Sequence, residues 1–154
     1  MDLRAKLQAA TKEAMKARDS DRLSTLRLIG AAVKDREIAL RGSDGDGGAL
    51  TDTDLIAILS KMVKQRQESA KAYEEGGRLE LAQKEENEIS VIQEFLPRQM
   101  SADEIATAVD TVISELEASS VRDMGRVMAE LRARHAGQMD FGSVGAMVKG
   151  RLLG

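Results

Sequence analysis

Proline occurs once in this chain, at Pro97, and on both sides of it the apolar residues recur at intervals of three and four. A backbone without other proline breaks can run as helix for long stretches, and those intervals put the apolar side chains on one helical face. Leu3, Leu7, Ala10 and Ala14 make a first stripe. After Asp19-Ser20-Asp21 a second stripe places Leu23, Leu26, Ile29, Gly30, Val33 and Leu40 together. Thr51 is positioned to cap a third helix, carried by Leu55, Ile58, Leu59, Met62 and Val63 to Tyr73, and Gly76-Gly77 ends it. A fourth runs from Arg78 through Leu81, Ile89, Ile92 and Phe95 to the proline.

Beyond Pro97, Ser101 and Glu104 have the spacing of a capping box. They open a helix with Ile105, Val109, Val112, Ile113 and Leu116 inward. Shorter helices follow over 124–134 and 142–153. No stretch has the two-residue alternation of a strand. The expected fold is all-α: a four-helix bundle-like part over residues 1–97, then a small three-helix tail over 98–154, with LPRQMSAD as the boundary. Aromatics make up only 2% of the chain, and helix-favouring residues dominate the rest.

Several functions are excluded or disfavoured at once. With no cysteine there is no disulfide, thiolate zinc site or cysteine nucleophile. No apolar run approaches the roughly 20 residues that span a bilayer, so no membrane role is expected. The N-terminus, MDLRAKLQAATKEAMKARD, is charged throughout and lacks the apolar centre of a signal peptide. A soluble cytoplasmic protein is the expectation.

The stretch AYEEGGRLELAQKEENEIS, residues 72–90, gathers six glutamates around a glycine pair. Dinuclear metal sites in bundles need Glu-x-x-His pairs on facing helices. The single histidine, His135, lies elsewhere, so the stretch reads as a helical hairpin whose glutamates pair along the surface, Glu80 with Lys84 and Lys71 with Glu74 or Glu75. GSDGDGG, residues 42–48, resembles a calcium loop only faintly, because the fifth and twelfth positions from Asp44 are Gly48 and Leu55. It reads as a loop, and it lacks the Gly-Lys-Ser/Thr ending of a phosphate-binding loop. A Ser-His-Asp arrangement would have to use His135, flanked by Arg134 and Ala136 near a helix end. Met124, Met128 and Met147 fall at helical spacing and read as core filler. No catalytic residue, metal site or cofactor is expected.

Charge is what remains. The net −3 is unevenly spread: residues 2–41 carry +4, 42–97 carry −6, 98–121 carry −4 and 122–154 carry +3. Arg122, Arg126, Arg132, Arg134, His135, Lys149 and Arg151 cluster near the C-terminus. Such a patch suits phosphate backbones, since each contact releases counterions; it equally suits a solvated face balanced by the acidic middle. With so few aromatics, single-strand recognition by base stacking is disfavoured, which leaves a folded RNA read by shape and phosphates.

KQRQESAKAYEEGGRLELAQKEENEISVIQEFLPRQMS, residues 64–101, together with RLSTLRLIGAAVKDREI (22–38) and MGRVMAEL (124–131), resembles the GatB/YqeY family over nearly the whole chain. The resemblance implies a helical bundle followed by the tail unit that closes the GatB subunit of a glutamine-dependent amidotransferase, where it helps to hold tRNA. It implies tRNA as a partner for the seven C-terminal residues above, an aminoacyl-tRNA synthetase or amidotransferase as a protein partner, and the family label of a carbon–nitrogen ligase with glutamine as amido donor. Related tails carry a basic Lys-x-Lys-Gly-Lys/Arg-Ala-Asp-Gly turn; here Gly137 and Asp140 remain while Gln138 and Phe141 replace a base and a glycine. The expected function is a non-catalytic tRNA-interaction module linked to tRNA-dependent amidation or aminoacylation, the alternative being an adaptor that docks on another enzyme.

Overall fold

A computed structural model describes residues 2–41 and 50–154, which form seven α-helices and one 3-10 turn; among these residues there is no strand. The stretch 42–48, read above as a loop, lies outside them. The chain divides into two compact units, Met1–Leu96 and Pro97–Gly154.

The first unit holds α1 (Leu3–Ala17), α2 (Ser20–Arg41), α3 (Asp52–Glu75) and α4 (Leu79–Gln93). Side-chain caps mark the starts of α1 and α3. The Asp2 carboxylate accepts from the Ala5 N–H at 2.7 Å. Thr51 and Asp54 form a reciprocal capping box at the head of α3. Ala14, Leu26, Ile29, Leu55, Leu59 and Ile92 are almost wholly buried and hold the four helices around one core. Truncating one of these leucines or isoleucines to alanine costs about 2–5 kcal/mol.

The glutamate-rich stretch is the turn between α3 and α4. Gly77 sits at φ 74°, a left-handed conformation that glycine adopts without strain, and the Arg78 N–H closes the turn on the Tyr73 carbonyl at 2.8 Å. The expected surface pairs of Glu80 with Lys84 and of Lys71 with Glu74 or Glu75 do not form. The hairpin is instead tied across its two helices by Arg66 Nε and Glu88 at 3.0 Å, both side chains largely buried. Leu81, expected to face inward, is turned outward, and Ala82 takes the buried position. On α4 the small alanine allows the long α3 to approach closely, so helical spacing alone could not choose between the neighbours.

The second unit holds α5 (Ala102–Glu115), the 3-10 turn Val121–Asp123, α6 (Met124–Arg134) and α7 (Phe141–Leu153). Its separate core contains Val109, Val112, Val127, Leu131 and Val148. Met128 is buried with them, and Met124 and Met147 pack at the edge. The Ser101–Glu104 capping box forms as its spacing suggested.

Candidate nucleic-acid interface

Helix α6 buries Val127, Met128 and Leu131, which leaves its arginines for the remaining faces. They do not share one. Arg132 lies over the Phe141 ring of α7, 5.7 Å from its centroid. Arg134 turns the other way, to Glu115 of α5 at 2.6 Å and to Glu130 at 2.7 Å. Arg126 pairs with Asp123 at 2.8 Å. On α7, Arg151 pairs with Asp110 of α5. Arg122 and Lys149 are exposed and have no carboxylate partner among the described residues.

Four of the seven residues grouped by sequence thus fall into two places. Arg122 stands on the 3-10 turn, which packs against both α6 and α7, the helix carrying Lys149. Arg134 and His135 lie at the opposite end of α6, beside the turn into α7. A depression of about 530 Å³ next to them is floored by Met100, Ala108 and Val112, but Asp103 and Glu104 also line it. Phosphate would meet carboxylates there. The unit as a whole carries seven Lys/Arg against eight Asp/Glu.

The α6–α7 turn shows what Gln138 and Phe141 do. Gly137 takes φ 74°, so this position needs glycine. Gln138 accepts from the Met100 N–H through its backbone carbonyl at 2.9 Å and donates from Nε2 to the Arg98 carbonyl at 3.1 Å. Its Oε1 lies 3.4 Å from His135 Nδ1. Gln99 Nε2 donates to the Gly137 carbonyl at 2.6 Å. Gln138 and Gln99 together clamp the segment that leads into α5. Phe141 supplies the platform for Arg132. Sequence reasoning did not find these roles; the difference of Gln138 and Phe141 from the resembled pattern was the only signal.

Two carboxyls are strongly held in their ionised form. Glu104 is lowered from its ordinary 4.5 to about 2, first by Arg98 (2.7 Å) and then by the Ser101 N–H. Asp123 is lowered from 3.8 to about 2, first by the Ser119 N–H and then by Arg126. The Ser119 and Ser120 N–H groups both donate to Asp123, at 2.9 and 3.3 Å, so the backbone donors of the only serine pair are already engaged. Among the described residues no group of three or more His, Asp or Glu side chains is placed to hold a metal ion, and no helix is long and apolar enough to cross a membrane.

The sequence pattern described as Yqey-like protein matches residues 4–152, almost the full length, across both units. The chain belongs to the YqeY family. Relatives of this YqeY chain include proteins named "Altered inheritance of mitochondria protein 41, mitochondrial". That from Eremothecium gossypii is 36% identical over 120 residues, covering 77% of this chain and 63% of the relative. That from Lachancea thermotolerans is 33% identical, covering 78% and 63%. That from Clavispora lusitaniae is 32% identical, covering 76% and 66%. The YqeY chain thus spans less than two thirds of the length of these relatives. Their names overturn the expectation of a cytoplasmic protein, which rested on an unremarkable N-terminus: the relatives are mitochondrial.

Proposed function

We propose that this YqeY chain is a non-catalytic RNA-contacting module, linked to tRNA-dependent amidation or aminoacylation, whose second unit touches the phosphates of a folded tRNA. The observation that supports this most directly is the pair Arg122 and Lys149: exposed cations, without carboxylate partners among the described residues, on a turn and a helix that pack together. The resemblance of the C-terminal unit to the tail that helps the GatB subunit to hold tRNA is the second support. The ligase label is then borrowed from the enzymes such modules serve: amide transfer needs an activated thiolate or a serine with a positioned base, the chain has no cysteine, and its one histidine, His135, lies against Gln138. The names of the relatives point the setting toward mitochondria.

The test is tRNA binding by fluorescence anisotropy over a salt series. Changing Arg122 and Lys149 to Glu should weaken binding more than changing Arg126, Arg132 and Arg134 to Glu, because the latter already have partners within the unit. Affinity should fall steeply with salt. A second reading, an adaptor without an RNA role, is favoured by the internal engagement of Arg126, Arg132, Arg134 and Arg151. Equal tRNA binding by wild type and both variants at every salt concentration decides for the adaptor.

A further inference from the structure

Residues 2–41 carry ten Lys/Arg against six Asp/Glu, and the fold sorts the two signs onto different sides. Asp2 caps α1, and Glu37 is bound to Arg4. Glu13 reinforces the charge of Arg22, which donates to Glu94 at 2.6 Å. Asp19 and Asp21 border the groove between α2 and α4, and Asp35 borders the groove between α2 and α3. Each of the six carboxylates is thus engaged or turned aside.

Five cations are left over. Arg27, Lys34 and Arg41 stand at seven-residue intervals on α2, each one position past a core-packed residue (Leu26, Val33 and Leu40). They form one outward row about 21 Å long. Lys12 and Lys16, four apart, make a shorter row on α1. All five are exposed, and none has an ion-pair partner among the described residues. Helices α1 and α2 run antiparallel, since Arg4 near the start of one meets Glu37 near the end of the other. Lys12 and Lys34 border the same seam, so the two rows lie side by side on helix axes about 8–10 Å apart. Ile38, 54% exposed, is the one large apolar side chain exposed between Lys34 and Arg41. That is too little for the apolar centre of a protein interface or for a membrane anchor.

We propose that this face binds double-helical RNA across its wide, shallow minor groove, the α2 row on the phosphates of one strand and the α1 row on those of the other. Phosphate contacts of this kind follow the shape of the duplex and not its sequence. The surface belongs to the first unit and is separate from Arg122 and Lys149; it shares with them only the RNA partner proposed above.

Binding of the full chain to a labelled RNA duplex of about 16 base pairs, followed by anisotropy over a salt series, tests it. Arg27→Ala with Lys34→Ala and Arg41→Ala should lower the slope of log affinity against log salt by about 2–3, since each lost phosphate contact removes about 0.9. At about 0.1 M salt the same variant should bind roughly tenfold more weakly or worse. Lys12→Ala with Lys16→Ala should lower the slope by about 1–2. As a control, Arg36→Ala with Lys61→Ala and Lys71→Ala removes the same charge from α3 and from the side of α2 that faces it, and should leave the slope unchanged. An equal loss in that control, or an unchanged slope in both row variants, overturns the proposal. So does binding to vesicles rich in phosphatidylglycerol that needs the same rows while the RNA duplex does not bind. Arg122→Glu with Lys149→Glu separates the two RNA surfaces. A loss confined to that pair sinks the present one and leaves the other standing; a loss confined to the α1 and α2 rows does the reverse.

Discussion

Gln138 shows how one neutral side chain can tie together two distant parts of a unit. Its backbone carbonyl, its Nε2 and its Oε1 all have partners, two of them in the segment Arg98–Met100. Gln138→Ala keeps the backbone bond and loses the two side-chain contacts, so it should destabilise the C-terminal unit by about 0.5–1.5 kcal/mol, read as a lower urea midpoint with an unchanged slope. This role was not visible in the sequence, because Gln138 and Arg98 are 40 positions apart and a neutral amide announces no partner. Ser60 makes the opposite case. Its hydroxyl is buried on α3 without a hydrogen-bond partner. Ser60→Ala removes that unsatisfied group and favours helix, and should raise stability by about 1 kcal/mol in the same assay.

At the scale of helices, the boundaries were readable because caps are local. Thr51 with Asp54 and Ser101 with Glu104 act over three residues, and both boxes form. The charged faces were only half readable. Arg126–Asp123 and Arg134–Glu130 have helical spacing, but Arg134–Glu115 and Arg151–Asp110 join helices that meet only when the unit packs. The basic run therefore looked less compensated than it is. Glu104 and Asp123 give this level a pH signature. Both are held near 2, below their ordinary 4.5 and 3.8, so folding favours their ionised forms. That contribution is complete above the ordinary values and disappears as pH falls through about 2. Wild type should thus be more stable than the Glu104→Gln, Asp123→Asn double variant at neutral pH, and the gap should close on acidification toward pH 2. Urea midpoints measured across pH check this; a constant gap contradicts it.

For the whole molecule, each unit has its own buried cluster, with no residue common to the two. We expect the segments 1–96 and 97–154, produced separately, each to keep cooperative thermal unfolding and the helicity it has in the full chain. Circular dichroism of the two pieces, compared with the full chain, measures it; loss of helicity in either piece contradicts it. The all-helical fold was readable because local periodicity dictates it, whereas the standing of each surface cation depended on packing. The chain has one tyrosine and no tryptophan, and that tyrosine, Tyr73, accepts the bond that closes the α3–α4 turn. The protein consequently has a built-in optical probe confined to one hairpin tip. Tyrosine emission follows local melting there, while far-ultraviolet dichroism averages all seven helices, so a temperature offset between the two signals from an unlabelled sample is a direct measure of how far that hairpin melts apart from the rest.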